Sequence, residues 1–541
     1  MSLYTHSESG TQHAGSFRTH FKIGGILMNC FSEKIYLTMT PPTEDDAKSD
    51  KYRLLQALRE AGYDRVSLPL HVLQTLYPMC RDCEYKLTAT LVYREEDWVV
   101  EALEPGDTRK HHYGLAADYG STTILLQLLD LNTGKILSEA RETNRQRTYG
   151  TDILTRIIYT IEKPEHMEEL QKATCETFQL LLEKLTKETG IHAKECPVMI
   201  ISGNTTMMHF LLKLNAWTVF SSPFAPVTAE PGWVWGRELG MDFSGMIYMI
   251  PSASNYVGGD IISGLLTMDF WKKEEVSLFF DIGTNGELVI GNKEWLLAGA
   301  GAAGPALEGY ISRFGMQAGD GAIDSVSIHG KQISYTTINH KKPVGICGSG
   351  IIDLLAQMLL NGWINIAGEL NPDASPSIIY LEEEEQYAAV YAPAEESGIG
   401  QPLYFSQTDI TQYLDTKAAA ATMVDCLLES AGFSAEELEH CYLSGAFSAH
   451  SDLESAITIG MFPDLPREKY ICIPNSSLEG ARTLLLDRSR MQDIHELIER
   501  MYCVQFASIP DFLVRMQAAK FVPHTDMSRY PSVAEKLKTK L

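Results

Sequence analysis

One short pattern occurs twice in this chain, 163 residues apart. Leu115-Ala-Ala-Asp118-Tyr-Gly120-Ser121-Thr122-Thr123 is echoed by Leu278-Phe-Phe-Asp281-Ile-Gly283-Thr284-Asn285-Gly286. In both copies an apolar strand delivers an Asp, then a Gly and a hydroxyl residue, then a second strand. A repeat at that spacing is no short-period solenoid. It calls for two similar subdomains facing each other.

Such a turn has a definite chemistry. The Gly lets the backbone bend and approach a ligand closely. The turn's N–H groups and the hydroxyl form a nest for an anion. The Asp at the strand end suits hydrated Mg²⁺, which keeps several of its waters. One copy alone reads more readily as an ordinary Gly-containing hairpin. Two opposed copies would clamp a triphosphate and its metal, with Asp118 and Asp281 toward the cation and Gly120, Ser121, Thr122, Thr123, Gly283, Thr284, Asn285 and Gly286 toward the phosphates.

Charge sharpens this reading. The 541 residues carry 45 Lys plus Arg against 70 Asp plus Glu, a formal net charge of −25. That surface repels nucleic acid and anionic lipid, so neither is expected as a partner. An anionic ligand must be held by a local device. No segment is apolar for long enough to span a bilayer. The best stretch, Val198 to Phe220, is broken by Asn204, Thr205, Thr206, His209, Lys213 and Asn215. The N-terminus has no apolar h-region, so a soluble cytoplasmic protein is expected. Ten Cys in this length are not a secreted disulfide scaffold.

Strands alternating with helices argue an α/β architecture. We expect an N-terminal tail over 1–33, a small α+β domain over 34–113, one subdomain over 114–275, and a second with the C-terminal segment over 276–541. In the small domain a strand runs from Lys34 to Pro41-Pro42, a helix spans Ser49 to Gly62, and Lys86 to Tyr93 pairs with Trp98 to Leu103. Arg109-Lys110-His111-His112 reads as a solvated linker. Further Gly-rich junctions follow strands or open helices: Gly203-Asn204-Thr205, Gly299 to Gly309, Gly345-Ile-Cys347-Gly348-Ser349-Gly350, and Ser444-Gly445-Ala446-Phe447. Each is weak alone, and their joint order has the weight.

That order resembles the acetate and sugar kinase, heat-shock ATPase and actin superfamily. Asp118 to Thr123 looks like its first phosphate motif, Asp281 to Glu287 its second, and Ser444 to Phe447 its adenosine motif. Within it, the chain resembles the ATP-dependent reductive activators of corrinoid proteins. The segments that carry this are Asn144 to Ile153, Ser202 to His209, Ser222-Pro-Phe-Ala-Pro226, Asp281 to Glu287, Ala302 to Gly309, Gly345 to Gly350, Gln407-Thr-Asp409-Ile with Lys417-Ala-Ala, and Phe521-Val-Pro523-His524.

The resemblance implies an actin-like ATPase fold of two facing, ribonuclease H-like subdomains preceded by the small α+β domain. It implies ATP and Mg²⁺ as cofactors and a methyl-carrying corrinoid protein as partner. The Co(II) corrinoid is returned to Co(I) by a low-potential electron, and nucleotide chemistry drives a change of state in the complex. Nucleotide-binding residues carried over are Gly203, Asn204, Thr205, Gly304, Gly348, Ser349, Gly445 and Ala446. Glu287 and Glu308 are candidate water-orienting groups.

The chain departs from the family most where the electron would enter, and in smaller ways at Tyr119 and at Gly299-Ala300-Gly301. The usual member carries an N-terminal [2Fe–2S] domain held by four clustered Cys. Here the region before Asp118 holds only Cys30, Cys80 and Cys83. No iron–sulfur cluster is expected, and the electron should come from a separate low-potential donor such as a ferredoxin. Cys80-Arg-Asp-Cys83 lacks a second Cys pair or a neighbouring His, so metal there is the minority reading. Lys417 reads as a solvated helix residue, and Tyr119 replaces the usual branched apolar residue. Two other classes remain open: a small-molecule kinase with the same clamp, and an ATP-switched binding protein. Oligomeric state is left between monomer and homodimer.

Overall fold

The computed structural model describes residues 22–23, 26–27, 29–283, 285–301, 311–445 and 451–540. Its centre is two six-stranded sheets of one plan. In the first, β5 (Tyr113–Tyr119), β6 (Thr123–Asp130) and β7 (Lys135–Thr143) form an antiparallel meander. Beside β5 run β8 (Val198–Gly203) and then β10 (Met246–Met249), both parallel to it, with β9 (Gly232–Trp235) at the edge. In the second, β11 (Ser277–Ile282), β12 (Gly286–Gly291) and β13 (Leu296–Gly301) repeat the meander. They are joined by β20 (Cys441–Ser444) and β21 (Tyr470–Ile473) on one side and β22 (Met501–Val504) on the other.

Period-2 alternation decides what each strand offers to each face. On β5, Leu115, Ala117 and Tyr119 enter an outer core under the helix α4 (Pro164–Thr189), while Ala116 and Asp118 face inward. On β11, Leu278, Phe280 and Ile282 pack outward against α7 (Gly348–Leu360) and α8 (Gln407–Ala431), while Phe279 and Asp281 face inward. Each Asp therefore lands on the inner face because its apolar neighbours claim the outer one.

Two helices fill the layer between the sheets. The helix α6 (Gly259–Leu266) follows β10, and α9 (Ser476–Leu486) follows β21. Ile261, Ile262 and Leu265 of α6 meet Leu478, Ala481, Leu484 and Leu485 of α9 in a core that also takes Val198, Ile200, Phe279 and Val289. They cross at glycine. A Cβ on Gly480 would fall against the Ser263 backbone, and one on Gly264 would lie 2.7 Å from Ser476 Oγ. No side chain fits there.

The small domain is a four-stranded sheet in the order β1 (Ser32–Thr38), β3 (Lys86–Arg94), β4 (Asp97–Pro105), β2 (Val66–Ser67), with α1 (Asp50–Glu60) and α2 (Leu70–Asp82) packed on it. Ser49 caps α1, as its position before the apolar periodicity indicates. The tail expected through 33 stops earlier. β1 begins at Ser32, and the buried Phe31 packs on Trp233 and Tyr248. His112 is not part of a solvated linker. It is buried with Nε2 3.0 Å from Ser32 Oγ, and burial drops its pKa to about 3. Among the described residues no helix is long and apolar enough to cross a membrane.

Candidate functional site

Register makes the two sheets answer each other. Ser202 on β8 sits beside Asp118, and Ser444 on β20 sits beside Asp281. The Ser444 hydroxyl donates to Asp281. Asp118 and Asp281 each stand next to last in their strands, just before the glycine turns.

The helices then exchange partners. The N-terminus of α9, which belongs to the second subdomain, reaches Asp118 of the first. Asn475 Nδ2 donates to Asp118 Oδ2 at 2.9 Å, and Ser477 Oγ donates to Oδ1 at 2.8 Å. The N-terminus of α6, from the first subdomain, brings Asp260 near Asp281 and Glu287 of the second. Glu287 is directly across from Asp281 in the β11–β12 register, so their side chains share the inner face. Hydroxyls tie the centre together: Ser202 Oγ is 2.6 Å from Ser263 Oγ and 2.8 Å from Ser477 Oγ, and Ser444 Oγ is 2.7 Å from Ser476 Oγ.

Four carboxylates thus line one cleft, each recessed yet partly open to solvent. Burial is the main force on all four, and it favours the protonated form. It raises the Asp118 pKa, opposed by the Asn475 and Ser477 bonds. Burial and then Asp118 push Asp260 up to about 7. Burial, then Asp260 and Asp118, push Asp281 up to about 7. Burial, Asp260 and Asp281 drive Glu287 well above the carboxylate range, against a bond from Asn285. Among the described residues no Lys or Arg acts on any of the four. This donor set fits a divalent cation. Among the described residues no three His, Cys, Asp or Glu side chains converge to hold a metal directly, so these carboxylates suit an ion that keeps its water shell.

The other expected residues divide. Gly120 turns so tightly that a Cβ would lie 2.5 Å from Thr123 O, and Ser121, Thr122 and Thr123 are half-buried in that turn. Gly283 N donates to Asn285 O at 2.9 Å, and Gly286 begins β12. Gly445 has φ +92°, and a Cβ there would sit 2.9 Å from Asp281 Oδ1, so only glycine serves. Gly203 closes β8, where a Cβ would lie 2.8 Å from Tyr119 O. Asn204 caps α5 (Thr205–Leu211) by accepting from Met207 N at 2.9 Å, while Thr205 Oγ1 donates to Ser254 O at 2.9 Å. Ser349 donates to Asp324 O at 2.9 Å, and Gly348 opens α7 inside the core of the second subdomain. These side chains are committed to holding loops in shape. Thr284, Gly304, Glu308 and Ala446 lie outside the described residues.

The Asn144 to Ile153 motif supports the first turn from below. Asn144 Nδ2 donates to Gly120 O at 3.0 Å, and Gln146 Nε2 donates to Thr174 Oγ1 at 2.7 Å and to the Tyr119 hydroxyl at 3.2 Å. Tyr119 is thereby a polar anchor in the outer core. Lys417 is not solvated. It is fully buried, and its Nζ donates to the carbonyls of Ala519, Phe521 and Pro523 at 2.7, 2.8 and 2.5 Å. The Lys417 and Phe521–His524 motifs are one structural clasp. Cys80 is buried, and Cys83 Sγ donates to Met79 O.

Sequence reading missed Asp260, Asn475 and Ser477. Two signals were present. Gly258-Gly259-Asp260 after an apolar strand is another glycine-to-helix junction, and Asn475-Ser-Ser477 is a helix N-cap after Pro474. Asn475 does cap α9, accepting from Leu478 N at 2.8 Å.

Two like sheets, each presenting an inward Asp at a glycine turn around a pair of crossing helices, define the ASKHA fold of actin-like nucleotide-dependent proteins. The ASKHA domain that forms the C-terminal domain of RACo matches residues 275–534, the RACo middle region 113–273 and the RACo linker region 24–110. The chain belongs to the RACo family, the reductive activators of corrinoid proteins. A solved structure described as a reductive activator for corrinoid, iron–sulfur protein shares 33% identity over 94% of this chain and 81% of its own, with a TM-score of 0.86. The corrinoid activation enzyme RamQ of Eubacterium limosum is 29% identical over 423 residues, 77% of this chain and 71% of that protein. A Methanosarcina barkeri protein, [Co(II) methylated amine-specific corrinoid protein] reductase, is 27% identical over 277 residues, 47% of each chain.

Proposed function

We propose that this protein binds and hydrolyses Mg-ATP in the four-carboxylate cleft and uses it to support reduction of a Co(II) corrinoid protein to Co(I). The observation that carries this is the reciprocal arrangement of Asp118 and Asp281, each on one subdomain and each met by the helix of the other. A ligand held by both must set the angle between the subdomains. Nucleotide can do work on a partner only by favouring one such angle over another.

In this reading Asp118, Asp281 and Asp260 orient the water shell of Mg²⁺, and the ion supplies charge neutralisation at the phosphates. Backbone N–H groups of the turn at Gly120 to Thr123, and of the turn that follows Asp281, would donate to phosphate oxygens, Gly283 N being taken up by Asn285 O. Glu287 holds the attacking water. It stands directly across from Asp281, whereas the position across from Asp118 in the first repeat is the apolar Leu125, so the polarity is on one side only. Gly445 leaves room for the nucleoside. The electron comes from a separate low-potential donor such as a ferredoxin, the setting is cytoplasmic, and the chain purified without oxygen should carry no stoichiometric iron.

The test mixes a Co(II) corrinoid protein from the same organism, a low-potential reductant and Mg-ATP, and follows the cobalt spectrum. Co(I) should appear faster with the protein, and the partner should stimulate ATP hydrolysis. If neither happens the reading fails. Transfer of the γ-phosphate to a metabolite would favour a kinase instead.

A further inference from the structure

The helix α9 touches two places at once. Its first turn bonds both oxygens of Asp118 through Asn475 and Ser477. Its last residue leads directly into the small domain. Asn29 N donates to Leu486 O at 3.2 Å, and Arg488 N donates to Asn29 O at 2.8 Å, a parallel bridge one residue past the helix end. Arg488 then reaches across. Its Nη1 donates to Cys30 O at 2.5 Å and to Glu33 Oε1 at 3.2 Å, and its guanidinium lies 4.7 Å from the Tyr93 ring centre and 4.8 Å from that of Trp98. Glu33 is the second residue of β1, Tyr93 the next to last of β3 and Trp98 the second of β4. One arginine therefore grips three strands of the small domain. At about 1.5 Å per residue, the 11 residues of α9 make a rod of about 16 Å between the carboxylate cleft and this grip.

The rod has a fulcrum. At Gly480 the backbone of α9 rests on Ser263 of α6 with no side chain between them. A helix pinned at its middle by backbone contact pivots more readily than it slides. The structure shows one setting of the rod, with Asn475 and Ser477 on Asp118. Asp118 has both oxygens engaged by α9, and a hydrated cation on the same carboxylate must share or displace Asn475 and Ser477.

We propose that α9 is a lever that carries occupation of the nucleotide cleft to the small domain: the Asp118 bonds to Asn475 and Ser477 set one end, Gly480 is the pivot, and Arg488 moves β1, β3 and β4. The small domain is then the surface whose position reports nucleotide state to whatever supplies or receives the electron. This rests on the proposed binding of Mg-ATP at Asp118. Coupling requires two arrangements of one element that both sites bias; the second would arise where a cation competes with Asn475 and Ser477 for the Asp118 oxygens.

The experiment is amide hydrogen exchange on the full chain with and without Mg-ATP, with nucleotide binding measured separately by calorimetry. In the wild type, Mg-ATP should change exchange over 29–38 and 86–105 by about fivefold or more, the low end of typical coupling. In Arg488→Gln the nucleotide-dependent difference over those segments should vanish. Mg-ATP should still bind, with its Kd moved by no more than the coupling factor, as linkage demands. Because Arg488→Gln also loosens a packed contact, Tyr93→Leu serves as a second variant that leaves the Cys30 and Glu33 bonds in place. It should shrink the difference without removing it. If the wild type binds Mg-ATP and the small domain does not respond, or if Arg488→Gln keeps the full response, the lever is wrong while the cleft assignment survives. Failure of the wild type to bind Mg-ATP overturns the proposed function and this inference together.

Discussion

Gly480→Ala tests the helix crossing on which the cleft depends. An ideal Cβ there would lie 2.8 Å from Ser263 Cα and closer still to the Ser263 carbonyl, where carbon atoms need about 3.5–4.0 Å. The helices α6 and α9 must part by about 1 Å or more. Overpacking of this kind costs about 1–3 kcal/mol. Parting also stretches the Ser477–Ser202 and Ser202–Ser263 hydroxyl bonds, now 2.8 and 2.6 Å, and each lost buried bond costs about 1 kcal/mol. Alanine returns about 1 kcal/mol of helix propensity. The net is about 2–4 kcal/mol of destabilisation. The assay is urea unfolding followed by far-UV circular dichroism, reading the midpoint at unchanged slope. A midpoint shift worth less than about 0.5 kcal/mol, within the range of a surface substitution, would refute the crossing as a tight backbone contact.

Asp281→Asn should cut ATP turnover by about a hundredfold or more, the scale of losing a preorganised electrostatic group. Its melting temperature without Mg²⁺ at pH 8 should hold or rise, since one of four mutually repelling carboxylates is gone; a stopped-flow phosphate assay and a thermal melt check both. The carboxylates have a signed pH dependence. Asp260 and Asp281 are raised to about 7 in the folded chain and titrate near 3.9 when unfolded, so the folded state keeps protons that the unfolded state loses. Their contribution is full below about pH 4 and is lost as pH rises through 7 in the absence of a cation. Mg-ATP affinity should run the other way, rising as pH climbs toward 7 by about tenfold per unit for each of the two carboxylates that must lose a proton, and calorimetry at pH 6 and 8 reads it. Lys417→Met should destabilise by about 2–4 kcal/mol because three buried carbonyls lose their donor. Exchange protection at 519–524 should fall first, and an unchanged midpoint would contradict the clasp.

Much of the site was readable from the chain because it lies in short range. Strand alternation around Leu115 to Tyr119 and Leu278 to Ile282 sends Asp118 and Asp281 to the face opposite their apolar neighbours, and that needs no tertiary knowledge. The repeat then says that two such faces exist and must meet. The helix start at Ser49 was also a local fact, written in capping chemistry. What a residue contacts at long range is another matter. Asn475 lies 357 residues from Asp118, and nothing at position 475 announces which carboxylate it will hold. Lys417 looks like an ordinary helical lysine until Ala519, Phe521 and Pro523, more than a hundred residues later, turn three carbonyls onto it. The four raised carboxylates follow the same rule. Each is a common acid in sequence, and only the closing of two sheets over α6 and α9 removes their water and brings them within reach of one another. Sequence thus determined the elements, the inward faces and the duplicated turns, because these depend on neighbours a few residues away. The tertiary structure decided the crosswise exchange of helices and the electrostatics of the cleft, because desolvation and charge coupling depend on distance in space.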